Sequence, residues 1–435
     1  MGGGGRWQWL ALVVMLVFGA AAAAAAGGYP ARAGVDAGRP AWQATLAQPP
    51  AEPPAEPRAR PPAQAPAEAA PAASAAGPSP GFELKSRSAL LMDAGSGRVL
   101  LEKNPHERLA PASLTKIMTL ALIFEALEAN RTTLDDQVVA SEEASSLEGS
   151  GIWLEPGETM SMRDVIAAIA IASANDASAA ACEHLFGSQA RAVEVMNQRA
   201  QELGLKDTHF ANTHGLDQEG HYTSAYDVAV TSRHALRFPR MLDFTSKWEE
   251  YLRGGRLWLV NTNRLIHYYP GVDGLKTGST DKAGFCVSAT CRRDNTRLIA
   301  VIMAAPDSAT RFNEAMRLLN WGFANFSSVP VLLKDQPADR VRVAKGVAEF
   351  VEAGVKEDFY VTVRKGEEAG LERRLELAQW PQAPIQQGQK LGEIIVVREG
   401  QELGRADLVA VQAVPRLGLG GMLSRVLAAV IGFFR

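Results

Sequence analysis

The sequence contains few cysteines. Only Cys182, Cys286 and Cys291 occur among its 435 residues. A disulfide framework would use more cysteines and an even number of them. Cys286 and Cys291 are five residues apart in a segment whose pattern predicts a strand, so their side chains should point to opposite faces and should not pair. None has a neighbour at the spacing of a zinc site, and we expect three buried, reduced thiols.

An excess of charge of either sign is also missing. The chain has 45 lysines and arginines against 48 aspartates and glutamates, a formal net charge of −3. A chain this close to neutrality offers no basic surface for a nucleic acid. Its length predicts two folded domains with extensions.

Charge is absent from a long segment near the N-terminus. Arg6 is followed by residues 7–28, which begin with large apolar side chains and end in alanines. A positive start, an apolar centre and a small-residue end are typical of a secretory signal peptide. An uncleaved anchor needs about 20 apolar residues, and the alanine-rich half favours cleavage while leaving both open. We predict a signal peptide at residues 1–28 and an exported protein.

Alanine and proline dominate residues 29–81. Such a segment has no hydrophobic period and cannot bury a core. We expect an extended, semi-rigid spacer.

Residues 82–328 combine strand and helix patterns. Strands come first, then a group of helices, then strands and a helix, which predicts a mixed α/β (α+β) domain with a helical insertion. The patterns predict strands at 88–93, 98–103, 285–290 and 298–304 and helices at 113–129, 160–172, 175–186, 191–203 and 311–326.

Two further segments follow. Residues 329–414 contain short β-type runs separated by glycine, lysine and proline, the pattern of a small all-β domain. In residues 415–435 apolar side chains recur at the spacing of an amphipathic helix that also carries Arg416, Arg425 and Arg435. Such a helix either docks on its own domain or lies in a membrane interface, and we favour the membrane.

The first of three short motifs is Ser113-Leu114-Thr115-Lys116, at the start of a predicted helix. A serine hydroxyl is a weak nucleophile unless a base takes its proton. Residues three apart share a helix face, so Lys116 can reach Ser113, and burial or a nearby cation would keep the lysine neutral. Alone, the same four residues more often form a solvated helix face.

The second motif is Ser173-Ala174-Asn175, between two apolar helices. Taken alone, it is most simply a helix cap. In a catalytic site, Ser173 would pass a proton to a leaving amine and Asn175 would hydrogen-bond a peptide carbonyl.

The third motif is Lys276-Thr277-Gly278, followed by Ser279. Its simplest interpretation is a tight turn before a strand. In a catalytic site, Gly278 would let a substrate lie against a strand edge. Lys276 and Thr277 would bind a carboxylate, and the Ser279 N–H would donate to an oxyanion.

The three motifs in this order resemble those of penicillin-binding proteins and serine β-lactamases. Segment 111–119 resembles the nucleophile segment of the low-molecular-mass D-alanyl-D-alanine carboxypeptidases. Ala174 stands where glycine is commoner in that family, and Ser279 where many members have a larger residue. The resemblance covers roughly residues 84–414, and further similar segments are 173–177, 212–225, 272–278 and 318–323.

This resemblance implies a transpeptidase-type fold, an antiparallel sheet flanked by helices with a helical subdomain, plus the C-terminal β domain. It implies a serine carboxypeptidase that trims peptidoglycan stem peptides ending in D-Ala-D-Ala, is acylated by β-lactams, and needs no metal or cofactor. Such an enzyme acts at the outer face of the cytoplasmic membrane. By position, the implied catalytic residues are Ser113, Lys116 and Ser173, and the implied substrate-binding residues are Asn175, Lys276, Thr277, Gly278, Ser279 and Arg311.

Three alternatives remain. A class A β-lactamase uses a glutamate after the middle motif, and no E-x-x-L-N segment follows Asn175. A D,D-endopeptidase of the same superfamily stays open. A catalytically silent peptidoglycan-binding protein would not need the intact motifs. His214 and His221 match no common zinc spacing, and we expect them to make structural hydrogen bonds.

Overall fold

The computed structural model describes residues 81–334 and 336–418. The predicted signal peptide, nearly all of the predicted spacer and most of the predicted tail helix lie outside these residues. No helix within the described ranges is long and apolar enough to cross a membrane.

The described residues form strands and helices in the following order. The strands are β1 Ser88–Asp93, β2 Val99–Lys103, β3 Gln137–Val139, β4 Thr159–Ser161, β5 Glu249–Leu252, β6 Leu257–Val260, β7 Val272–Thr280, β8 Gly284–Arg293, β9 Thr296–Ala305, β10 Phe326–Leu332, β11 Asp339–Arg342, β12 Phe350–Gly354, β13 Phe359–Arg364, β14 Glu372–Leu377, β15 Lys390–Arg398 and β16 Gln401–Ala410. The helices are α1 Lys116–Glu128, α2 Glu142–Ser145, α3 Met162–Ala167, α4 Asn175–Phe186, α5 Gln189–Glu202, α6 Ala225–Ala235, α7 Leu242–Thr245, α8 Leu265–Tyr268 and α9 Ser308–Asn325.

An antiparallel sheet in the order β2-β1-β9-β8-β7 forms the centre of the first domain. Alternate residues of each strand enter different cores, because successive strand side chains point to opposite faces. Leu90 joins a core with α1 and α6, whereas Leu91 joins a core with α9. The sheet is therefore covered on both sides, which explains the continuous apolar run of β9.

The side chains of Cys286 and Cys291 on β8 also point to opposite faces of the sheet. Cys286 belongs to the core beside α1 and Cys291 to the core beside α9. Both are free and buried, as is Cys182. The prediction of unpaired, buried thiols is confirmed.

Two predicted helices around the motifs differ in the structure. The segment 113–129 begins with a 3-10 turn, Ala112–Thr115, before α1 starts at Lys116. The segment 160–172 begins in β4, and Ser161 then caps α3 by accepting from the Asp164 N–H at 3.1 Å. Capping side chains stop a helix from extending backwards, a local effect that apolar periodicity does not reveal.

The C-terminal domain is all-β, as predicted. One sheet has the order β11-β12-β16-β15-β14, and β10 pairs with β13. The sequence pattern did not predict β10, whose register shifts beside Pro330, a residue that cannot donate to a ladder. Residues 415–417 also belong to this domain, because the Leu417 N–H donates to the Lys345 carbonyl at 2.8 Å.

Candidate active site

The Ser113 turn lies directly against the edge strand β7. A Cβ atom on Gly278 would come within 2.7 Å of the Ser113 backbone nitrogen and 2.9 Å of Ala112 Cβ. On the other side, a Cβ on Gly215, whose φ is +98°, would lie 2.0 Å from the Ala112 carbonyl oxygen. Both positions therefore require glycine, since any other residue would push the Ser113 turn out of place.

Lys116 joins the first two motifs. Its side chain is fully buried, and its Nζ atom lies 3.0 Å from Ser113 Oγ. The same nitrogen donates to Asn175 Oδ1 at 2.7 Å and to the His214 carbonyl at 2.6 Å. The amine is therefore held from three directions and aimed at the Ser113 hydroxyl.

The surroundings of this amine favour its neutral form. Burial, and then the positive charge of Lys276, hold the pKa of Lys116 well below its usual range, with Asp176 opposing them. A neutral amine beside a serine hydroxyl is able to accept its proton. This is the condition that the sequence argument required for Lys116 to act as a base.

The second motif lies at a break between helical segments. Ser173 ends the π-helical turn Ala168–Ala172 with a φ of 64°, a left-handed conformation. Asn175 then starts α4, and its Nδ2 donates to the Glu148 carbonyl at 2.6 Å. Its Oδ1 accepts from Lys116, and because the Glu148 carbonyl takes one of the two amide hydrogens, the second is left for a ligand. Ser173 is 4% exposed beside it.

The third motif lies inside β7, not in a turn before a strand. Lys276, Thr277 and Gly278 pair with Ser288, Val287 and Cys286 of β8. The glycines of this segment hid the strand, because glycine lowers any β pattern. Ser279 follows and is exposed at the end of the same strand.

Lys276 is the second buried lysine of the site. It is 1% exposed, and its Nζ donates to the Thr277 carbonyl at 3.1 Å. Burial and then the charge of Arg311 lower its pKa to about 7. A carboxylate beside it would favour its charged form.

Arg311 of α9 lies against the backbone of β7 and β8. Its Nη1 donates to the Gly278 carbonyl at 3.1 Å and to the Cys286 carbonyl at 3.3 Å. The guanidinium is 8% exposed and stacks 4.6 Å from the Phe312 ring centroid. The structure thus brings Arg311 to the strand that carries the third motif.

Two groups of the site escaped prediction. The His214 carbonyl binds Lys116, and the Thr262 hydroxyl accepts from Thr277 Oγ1 at 2.7 Å. A backbone carbonyl leaves no mark on side-chain chemistry, and Thr262 belongs to no motif. The similarity of segment 212–225 to the carboxypeptidase family was the one available signal for the loop that carries His214.

The two histidines make structural hydrogen bonds, as expected. His221 Nε2 lies 2.8 Å from Thr115 Oγ1, and its Nδ1 accepts from the Ala211 N–H at 2.8 Å. His214 Nδ1 accepts from the Leu216 N–H at 3.3 Å. Burial is the main cause that lowers the pKa of His214 to about 3 and of His221 to about 4.

These pKa values predict a loss of stability in acid. In the unfolded state each of these histidines takes up a proton near pH 6.5, whereas in the folded state it stays neutral at that pH. The stability that the neutral histidines contribute above pH 6.5 is therefore lost as the pH falls towards 4. At pH 5 the loss should be about 2 kcal/mol for each histidine. Urea unfolding of the wild type and of His221→Gln at pH 7 and pH 5 measures it. The variant should lose less on acidification, and equal losses would contradict the prediction.

The fold and this arrangement define a serine peptidase of the penicillin-binding-protein type. A family model described as D-alanyl-D-alanine carboxypeptidase matches residues 72–307, and one described as the C-terminal domain of penicillin-binding protein 5 matches residues 326–416. The chain is 41% identical over 345 residues to D-alanyl-D-alanine carboxypeptidase DacF of Bacillus subtilis, covering 78% of this chain and 89% of that protein. It belongs to the D-alanyl-D-alanine carboxypeptidase family.

Solved structures of penicillin-binding proteins are also similar to this chain. Penicillin-binding protein 5 from Haemophilus influenzae has a TM-score of 0.65 at 32% identity, covering 77% of this chain and 99% of that chain. Penicillin-binding protein D2 from Listeria monocytogenes, in its ampicillin-bound form, has a TM-score of 0.51 at 31% identity, covering 55% of this chain and 98% of that one. The predictions of family, fold class and enzyme class are confirmed.

Proposed function

We propose that the protein releases the terminal D-alanine of peptidoglycan stem peptides through an acyl-enzyme on Ser113. The observation that carries the proposal is the buried Lys116 amine, which lies 3.0 Å from the Ser113 hydroxyl in surroundings that lower its pKa. The scheme uses this chain's own side chains and requires no metal or organic cofactor.

In the acylation step, Lys116 takes the proton of Ser113 as Oγ attacks the carbonyl between the two D-alanines. The backbone N–H groups of Ser113 and Ser279 stabilise the oxyanion. Gly278 supports this role, because its missing side chain allows β7 to lie against the Ser113 nitrogen. The substrate then lies extended along the free edge of β7.

The C–N bond breaks as the leaving amine receives, through Ser173, the proton that Lys116 took from Ser113, and D-alanine departs. Water then attacks the Ser113 ester, Lys116 takes a proton from the water and returns it to Oγ, and the shortened peptide leaves with a free carboxylate. Lys276, Thr277 and Arg311 bind the terminal carboxylate, and Asn175 donates to a substrate carbonyl. A requirement for that free carboxylate would make the enzyme an exopeptidase.

Fluorescent penicillin and a small D-Ala-D-Ala peptide together test this function. We expect stable labelling and release of D-alanine. Rapid loss of the label would favour a β-lactamase, and no label with no release would favour a silent binding protein. Cleavage of a cross-linked peptide in preference to the linear one would favour the endopeptidase.

We also propose the arrangement of the chain outside the cytoplasm. Residues 82–328 would form the catalytic domain and residues 329–414 a separate β domain, with a signal peptide before them and a membrane-surface helix after them. Peptidoglycan as the substrate of the family supports export. The apolar stripe from Met422 to Phe434 supports the membrane helix.

A truncation tests the membrane helix. The chain ending at Gly418 retains residues 415–417, which pair with the β domain. Burial of each large apolar side chain in a membrane interface is worth up to roughly 1.5–3 kcal/mol. The longer protein should therefore pellet with anionic vesicles, while the truncated one stays in solution with full activity on a small peptide. Equal partitioning, or unfolding of the truncated protein, would favour a helix docked on its own domain.

A further inference from the structure

The loop that carries the His214 carbonyl is tied at both of its ends. At one end, Asn212 Oδ1 accepts from the Gly215 N–H at 2.6 Å, which fixes the loop's shape. This conformation presses Gly215 against Ala112 and points the His214 carbonyl at the Lys116 amine. The position of the base therefore depends on the position of this loop.

At the other end, Asp217 reaches across to the strand that carries the third motif. Its Oδ1 accepts from Thr280 Oγ1 at 2.8 Å, and its Oδ2 from the Lys282 N–H at 3.4 Å. Thr280 is the last residue of β7 and directly follows Ser279. Its hydroxyl also accepts from the Ala283 N–H at 3.0 Å, so Asp217 holds the whole β7–β8 turn.

The loop thus connects two groups that catalysis must keep in register. On one side is Lys116, which takes the proton of Ser113. On the other is Ser279, whose N–H would stabilise the oxyanion. The main sheet leaves β7 as an edge strand, paired only with β8 within the described residues, so its end lacks a second neighbouring strand. Asp217 supplies a lateral contact that the sheet does not.

We propose that Asp217 is a positioning residue that sets the distance between the Lys116–Ser113 pair and the oxyanion donor at Ser279. The inference rests on the proposed function of this site. Asp217 itself is exposed, and its carboxylate makes its hydrogen bonds with Thr280 and Lys282, not with Ser113 or Lys116. Its effect would pass through the loop and through Thr280, and a displacement of about 1 Å at a reacting centre can cost 10²-fold in rate.

Loss of the Asp217–Thr280 hydrogen bond should lower turnover and leave substrate affinity unchanged. Lys276 and Thr277, which would bind the terminal carboxylate, lie three or more residues before Thr280, and Thr277 is held by Thr262. Loss of the Asp217 contact should leave them in place. We expect Asp217→Ala to lower kcat roughly tenfold to a hundredfold with a KM within a factor of about two.

The conservative variant and a matched control separate this role from a general structural one. Asp217→Asn keeps an oxygen that can accept from Thr280 and should recover most of the rate. Glu219→Ala removes a carboxylate from the same loop that makes no hydrogen bond or ion pair with any described residue, and should behave as wild type. Thermal unfolding shows which variants are folded at the assay temperature.

The experiment measures kcat and KM for D-alanine release, and the rate of acylation by fluorescent penicillin, for these variants and for Thr280→Val. If the Asp217–Thr280 hydrogen bond carries the effect, the losses of rate caused by Asp217→Ala and by Thr280→Val should not be additive in the double variant. Wild-type turnover of Asp217→Ala, or additive losses in the double variant, would overturn the proposal. Should the wild type release no D-alanine, the proposed function fails, while the acylation rates still decide the role of Asp217.

Discussion

A Ser113→Ala variant is expected to lose both D-alanine release and covalent labelling by penicillin. The Ser113 hydroxyl lies 3.0 Å from the buried Lys116 amine. Without Oγ no acyl-enzyme can form, and removal of a serine nucleophile costs on the order of 10⁶-fold in turnover. The measurements are D-alanine release from a small peptide and a labelling gel.

The fold should survive this change. Ser113 is half-buried, and alanine only removes an oxygen from a turn whose backbone is fixed by Gly278 and Gly215. Ser146→Ala is the control, because that serine is exposed and lies outside the site. Peptide mapping of the labelled wild type completes the test: a drug adduct on any other serine would remove Ser113 from its proposed role.

Lys116→Ala is expected to slow acylation by every substrate. The loss of a general base typically costs about 10²- to 10⁴-fold. The reason is geometric as well as chemical, since the Lys116 amine also fills the space between Asn175 and the His214 carbonyl. Acylation by penicillin and by a peptide should fall together, because both need the same proton transfer from Ser113.

Lys276→Ala should differ from Lys116→Ala in the substrates that it affects. Its loss should affect substrates with a free carboxylate most, and an esterified substrate much less. It should also raise the pKa of Lys116, because the charge of Lys276 helps to lower it. The acid limb of the acylation profile should then move to higher pH, as Lys116 would stay protonated over a wider range. Equal damage to both substrates would remove Lys276 from carboxylate binding.

Much of the architecture followed from pattern alone. The patterns at residues 88–93 and 298–304 predicted strands where the structure has β1 and β9. Short runs separated by turn residues predicted the C-terminal β domain. The five-residue spacing of Cys286 and Cys291 predicted their opposite faces. These features depend on local period, which a sequence displays directly.

The sequence predicted only some of the residues that meet at the site. The three motifs predicted roles for Ser113, Lys116, Ser173, Asn175 and Lys276 because the chemistry of each side chain suits the proposed reaction. The contacts of Thr262, Asp217 and the His214 carbonyl were not predicted, since they depend on where distant segments meet. The strand around Gly278 was also missed, because a glycine selected for close approach weakens the pattern of the strand that contains it.

The sequence by itself determined which side chains could do chemistry and in which order they occur. Only the tertiary structure decided that the pKa of Lys116 is lowered. Its burial comes from α4, from the loop at residue 214 and from β7, which lie about 60 to 160 residues along the chain, and the charge of Lys276 comes from the last of these. A pKa depends on the dielectric and charges in space around a group, and sequence neighbours do not specify them.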